Sequence, residues 1–336
     1  MTDSLFTLRA LVTAVNEIIT PKMPIFDRYF RPVARMQPTD KLQYDIITSD
    51  EAILASVSAR AKGTEIDLTG KATVTLEAPR LNPLKFISAA DLNAYRKMGS
   101  AIAPEMLKNR IALEQADSLN KINRTLEHWA TGALRGQVID KTGTVLVDYD
   151  LASTHTSDLT GTALWTHVDS TPLVNLKAYR KLITHDAGAM ITGFVAYLGD
   201  GVMDALTEHA DVRDVLKYTQ GTRLTEDGEI SVLSKVQLHE YDGSYVNSSG
   251  TRVDFIEDGH ILIIGLCDQL FACPYSPIVN LDAPNGVGNV NAAGQGQMYF
   301  SESWPEKNPS GRWLLTEARP IPVVQRPGAL IYKKVV

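Results

Sequence analysis

The sequence contains very little cysteine. Its two residues of that type, Cys267 and Cys273, are separated by five others, and no secretory-type start precedes them. A disulfide framework is therefore not expected, and a reducing compartment is. Long hydrophobic runs are also missing. The most apolar window, Ile261 to Ala272, is interrupted by Gly265 and Asp268 and falls far short of the ~20 residues of a membrane span, so it reads as a buried strand and a turn. Positive charge is scarce: 33 Lys and Arg stand against 39 Asp and Glu, a net charge of −6. That balance argues against holding nucleic acid by bulk charge, because phosphate neutralisation needs clustered basic residues. Internal repeats and low-complexity tracts are absent. What remains is an ordinary globular composition, 336 residues with 44% hydrophobic, enough for about two domains.

The usual signatures of chemistry are lacking too. Gly286, Gly288, Gly294 and Gly296 lie in PNGVGNVNAAGQGQ. The dinucleotide fingerprint needs a preceding strand, a G-x-G-x-x-G spacing and a helix; here the third spacing fails and Pro284 precedes the run, so a surface loop is expected. No two of the seven histidines sit at i, i+3 or i, i+4 on one helix, so no zinc pattern is present. Asp148 and Asp150 flank Tyr149 on an expected strand and would share a side, as a cation site or as two solvated carboxylates. Asp186 beside His185, and Asp258 near His260, are each half of a dyad without a G-x-S-x-G serine. Cys267 lies next to a buried strand and reads as inert. No catalytic residue, cofactor or metal ligand is nominated.

The elements are clearer. Leu5, Leu8, Val12, Val15 and Ile19 make an amphipathic helix stopped by Pro21 and Pro24. The prolines of the next stretch, Pro24, Pro32 and Pro38, predict an extended path anchored by Phe26, Tyr29 and Phe30. Between Ile46 and Arg80 the alternation around Val57, Ala59 and Ala61 and then Val74, Leu76 and Ala78 predicts two strands too polar to own a core, which lean on a neighbouring subunit or else form a mobile surface loop. Pro104 then opens a long helix with the stripe Ala112, Ala116, Leu119, Ile122, Leu126, Trp129 and Ala133, ended by Gly136. At its full length this is a rod of about 46 Å. A hairpin turning at Lys141-Thr142-Gly143 follows, then the polar link ASTHTSDLTGTALW. Beyond it, Ser170 and Pro172 begin a helix, AMITGFVAYL is a strand, Asp200 and Asp211 cap two helices, and SKVQLHEYDG and TRVDFIEDG are strands joined through SYVNSS before the buried HILIIG. The closing prolines predict edge or extended paths.

Taken in this order, the parts resemble the major capsid proteins of tailed phages, and within them the lambda-type capsid protein E family with the Hong Kong 97-type fold. IFDRYFRP is similar to that family's early Phe-Arg anchor. EQADSLNKINRTLEHWATGALRGQV is similar to its spine helix, and HEYDGSYVN followed by HILIIG to its hairpin and next strand. SESWPEKNPSGRWLLTEARPIPVV is similar to its Trp, Asn-Pro and Ala-Arg-Pro close.

The resemblance implies an α+β fold with an N-terminal arm (1–45), an extended β-loop (46–85), a peripheral domain with the spine helix (86–165), an axial α/β domain (166–304) and a closing segment (305–336) returning toward the peripheral domain. It implies a structural protein of the virion, assembled in host cytoplasm, without cofactor, metal or membrane. The expected partners are copies of itself in hexamers and pentamers, a portal protein, a possible decoration protein, and packaged double-stranded DNA enclosed without sequence-specific binding. A separate scaffolding protein is expected because the chain opens directly on its arm. Arg60, Lys62, Glu65 and Lys71 are the expected intersubunit contacts, although a single solvated charge contributes little. Lys62 and Lys71 lie where some relatives form Lys–Asn isopeptide bonds; with no catalyst acid or partner Asn identified, that chemistry is not carried over. A nanocompartment shell of the same fold and a soluble α/β enzyme are the competing readings.

Overall fold

The computed structural model describes residues 23–48, 70–88, 90, 104–218, 230–278 and 298–336. The predicted first helix, the centre of the β-loop and the glycine-rich stretch near 286 lie outside them. The chain forms two compact units: Met1–Gln43, Thr75–Glu127 and Cys273–Pro322 make the first, and Tyr44–Val74, His128–Ala272 and Val323–Val336 the second. The division falls inside the long helix.

That helix runs Pro104–Arg135, as its proline start and glycine stop predict. Gly136 has φ +106° and a Cβ there would lie 2.7 Å from the Leu151 side chain, so glycine is required on both grounds. The buried stripe differs from the expected one in its first turns. Ala112 is exposed and Ala116 half-buried, while Ile111, Gln115, Ser118 and Leu119 are buried. The inward face therefore includes polar residues, and several of them are held by partners in the first unit. Gln115 Nε2 donates to Ser301 Oγ at 3.2 Å, Tyr299 OH donates to Asn123 Oδ1 at 2.7 Å, and the Glu127 carboxylate accepts the N–H groups of Ile25 and Phe26 at 3.0 and 2.8 Å. A pattern reading that assigns polar residues to water misplaces the face.

The Glu127 contact also explains why the expected extended path of Phe26 to Val33 is instead helical. Phe26–Phe30 forms a turn of wide helix and Arg31–Val33 a 3-10 turn with Pro32 near its start. A carboxylate that accepts the first N–H groups stabilises a helical start, and a proline costs nothing where no donor is needed. Phe26, Tyr29 and Phe30 are buried anchors, as predicted.

In the first unit, the strands Tyr299–Glu306, Gly311–Ala318 and Leu84–Ser88 form an antiparallel sheet with Gly311–Ala318 in the middle. The closing segment thus supplies a central strand, not only edges. Its proline-free stretch donates freely to both neighbours, and Pro305 sits on an outer strand. Lys85 reaches the helix, with Nζ 2.7 Å from Glu114 and bonded to Asp117. Lys85, Ile87, Leu314, Thr316 and Ser301 consequently face the helix, by register and period two.

The second unit holds a five-stranded sheet in the order Leu330–Lys334, His260–Leu266, Gly193–Leu198, Val236–Glu240 and Val232–Leu233. Gly193–Leu198 and Val236–Glu240 pair in parallel; the other neighbours are antiparallel. Helix Pro172–Asp186 packs Leu176, Tyr179 and Ile183 into its core with Ile261, Ile263 and Ile331. The hairpin Gln137–Ile139 with Val145–Asp148 forms as expected.

Three local expectations are corrected. Gly201, in a left-handed conformation, and not Asp200, occupies the cap position of helix Val202–Glu208. Ser244–Val246 is itself a strand paired with Arg252–Asp254 around a turn near Asn247, while Val236–Glu240 joins the larger sheet. The polar link contains a short helix, Ser153–Thr156, and buries His155 and Trp165, so it is part of the core.

Candidate functional site

Strands Lys41–Thr48 and Gly70–Glu77 pair as a two-stranded ribbon. The second is a predicted strand of the β-loop, the first falls mostly in the expected arm, and the strand predicted around Val57, Ala59 and Ala61 lies outside the described residues. Val74 and Leu76 are half-buried while Thr73, Thr75 and Glu77 are exposed, the predicted period of two. Lys71 lies on the second strand. Arg60, Lys62 and Glu65 lie outside the described residues. Thr73 Oγ1 donates to Asp45 Oδ1 across the ribbon at 2.8 Å.

At the ribbon's root is a polar cluster that no sequence motif indicates. Arg319, 7% exposed, donates from Nη1 to Asp40 Oδ1 at 2.7 Å and to the Pro277 carbonyl at 3.0 Å, while Nη2 lies 3.5 Å from the Ala78 carbonyl. Ser276 Oγ donates to Asp40, and the Ala78 N–H donates to the Asp40 carbonyl at 2.9 Å. Two residues further on, Arg80 Nη2 meets Glu317 Oε2 at 2.7 Å; Glu317 is buried, and its hydrogen bond pushes the Arg80 pKa up. A buried guanidinium with planar donors suits several acceptors at once, which a lysine would not.

The sheet face turned away from the helix is apolar and partly open. Trp304, Trp313 and Phe86 are direct cross-strand neighbours, and Phe86 and Trp313 pack at 4.8 Å between ring centroids. Leu84 and Leu315, on the same face, are neighbours one pleat along, and Leu84 and Trp304 remain 47% and 37% exposed. Phe86 and Trp313 are half-buried, and a grouped, partly exposed apolar patch of this kind marks a contact surface more often than scattered residues do.

Elsewhere the groups with chemical potential are tied into structure. Asp186 accepts from His155 Nε2 at 2.9 Å and His185 Nδ1 at 2.6 Å, bonds that hold its carboxyl below the usual carboxylate range, the His185 bond foremost. The other nitrogen of buried His155 donates to the Leu330 carbonyl at 2.6 Å. His260 meets the Asp258 carbonyl, not its carboxylate, so that dyad does not form. Asp148 accepts from Gln137 Nε2 and from the Asp150 N–H, and Asp150 has φ +47°, so the strand has ended and the two carboxylates do not share a face as expected. Among the described residues no group of three or more His, Cys, Asp or Glu is placed to hold a metal ion. Both cysteines are free, and burial pushes the Cys273 thiol up to about 12. Sequence reading overlooked one buried pair, Ser170 Oγ with His209 Nε2 at 3.1 Å, but His209 Nδ1 has no partner among the described residues, so no acid orients the ring.

A long helix backed by a three-stranded sheet, a two-stranded ribbon, and a separate α/β unit define an α+β protein of the Hong Kong 97-type capsid fold. Solved structures share it. A protein from a prophage of E. coli CFT073, described as its capsid protein, matches with a TM-score of 0.62 at 16% identity, covering 98% of this chain and 99% of that one. The capsid of cyanophage P-SCSP1u matches at 0.54 and 11% identity over 95% and 91%, and the mature capsid of bacteriophage PhiM1 at 0.52 and 9% over 95% and 90%. A search of curated proteins gives no match. The chain belongs to the phage major capsid protein E family, whose sequence model matches residues 7–335, and is thus a structural component of a phage particle.

Proposed function

We propose that the protein builds the head shell of a tailed double-stranded DNA phage, associating as hexamers and pentamers that close an icosahedral procapsid in the host cytoplasm. The family match over residues 7–335 carries this reading. The shell grows with a separate scaffolding protein and a portal protein. DNA is enclosed without sequence-specific recognition. A net charge of −6 fits a wall against which a motor presses DNA without the wall having to attract it. No helix among the described residues is long and apolar enough to cross a membrane.

The arm (1–45) and the β-loop (46–85) reach over neighbours, with Arg60, Lys62, Glu65 and Lys71 as polar intersubunit contacts. Residues 86–165 form the peripheral domain and 166–304 the axial domain around the capsomer centre; of the closing segment 305–336, Gly311–Ala318 returns to the peripheral sheet, paired with Leu84–Ser88 and Tyr299–Glu306, while Leu330–Lys334 pairs with His260–Leu266. The open Trp304, Trp313 and Phe86 face is covered by a second copy in the shell.

Electron microscopy of the protein expressed alone and with its neighbouring genes tests the reading. Closed shells, tubes or hexamers are expected; a compact monomer under every condition overturns it.

A further inference from the structure

We infer that Arg319 is a positioning residue for shell assembly, one that clasps both strands of the two-stranded ribbon where the first begins and the second ends. The inference rests on the reading of that ribbon as an assembly element. Asp40 immediately precedes the strand Lys41–Thr48, and Ala78 immediately follows the strand Gly70–Glu77. One guanidinium reaches the carboxylate of the first and the carbonyl of the second, and it also reaches Pro277. The ribbon's entry and exit are therefore fixed against each other by a single side chain, reinforced by the Ala78 N–H on the Asp40 carbonyl.

The cluster is built to hold a geometry more than to add stability. Arg319 is 7% exposed whereas the Asp40 side chain is 56% exposed, so the pair sits at the edge of the core, where the carboxylate remains partly hydrated. With its carboxylate half in water the ion pair itself adds modestly to folding, but the planar guanidinium imposes direction on every acceptor it meets. The pairs Leu81 with Ala318 and Thr316 with Pro83 continue the clasp along the exit, leaving the chain no slack between Ala78 and Pro83. A ribbon that must meet a neighbouring subunit gains by having its root pre-ordered, because ordering it during association would subtract from the association free energy.

The test uses the full chain expressed with its neighbouring genes, as D40N, R319Q and R319K, and a fourth chain in which residues 50–69 are replaced by a short glycine-serine link. Shell yield is read by sedimentation and microscopy, and hydrogen exchange is read on the unassembled protein. D40N and R319Q are expected to lower shell yield about tenfold, with R319K between them and wild type. They are also expected to raise exchange at Ala78 and Leu81 selectively, leaving the Pro104–Arg135 helix protected as in wild type. D40N keeps the test open if R319Q does not fold, since it leaves the buried guanidinium its carbonyl partners. Wild-type assembly of D40N and R319Q overturns the inference. So does an exchange increase spread over the whole first unit, which makes Arg319 a merely stabilising residue. If the linker chain itself assembles normally, the ribbon is not an assembly element and both readings fall; if it fails while D40N and R319Q assemble, only the role of Arg319 falls.

Discussion

Replacing Glu127 probes how the long helix is joined to the aromatic anchor before it. The carboxylate is 1% exposed and accepts the Ile25 N–H at Oε1 and the Phe26 N–H at Oε2, at 3.0 and 2.8 Å. Each is a hydrogen bond to a charged acceptor, for which a loss of about 1.5–3 kcal/mol is typical. Glu127→Gln keeps one oxygen and turns an amide donor toward the other N–H, so it is expected to cost about 1.5–3 kcal/mol. Glu127→Ala removes both acceptors, leaves two buried donors without a partner and opens a void, for about 3–6 kcal/mol. Urea unfolding of the unassembled chain, followed by tryptophan fluorescence, measures both. The order of the variants matters more than their absolute values, and hydrogen exchange at Ile25 and Phe26 locates the loss. An alanine variant no more costly than a surface substitution, under ~0.5 kcal/mol, refutes the argument that this carboxylate dictates the helical path of Phe26 to Val33.

Further outcomes follow from single contacts. The Asp186 carboxyl is held below its ordinary range by His185 and His155, so its contribution is fully present above the unfolded carboxylate pKa and lost as pH falls through the lowered folded value. Melting curves of wild type and Asp186→Asn should therefore differ at neutral pH and converge in acid; parallel curves throughout contradict the assignment. Trp304→Ser should leave the melting temperature of the unassembled chain nearly unchanged, within about 1 kcal/mol of stability, while reducing shell formation seen by microscopy. Unimpaired shells from that variant remove the sheet face from the intersubunit surface. Gly136→Ala should cost more than ~1 kcal/mol in thermal unfolding, because φ is +106° and the new methyl meets Leu151. A neutral result means the helix end relaxes without glycine.

The sequence by itself determined the elements whose signals are local. Pro104 and Gly136 mark the ends of the long helix, because a proline needs no donor in a first turn and a glycine alone tolerates the left-handed exit. The hairpin at Lys141-Thr142-Gly143, the strand His260–Leu266 and the alternation through Val74, Leu76 and Ala78 were equally legible. The order of these parts was enough to point to the capsid family.

Tertiary structure decided where polar side chains would find partners. Gln115, Asn123 and Glu127 look like solvent-facing residues until Ser301, Tyr299 and the Ile25–Phe26 backbone arrive from distant parts of the chain. The same holds for His155 in its polar link, and for Arg319, whose acceptors at Asp40, Ala78 and Pro277 are separated from it in sequence by 42 or more positions. A hydrophobic stripe is a property of one segment, because burial repels water wherever the stripe packs. A buried polar group is stable only when a particular partner is brought to it, and that pairing exists nowhere in the local pattern.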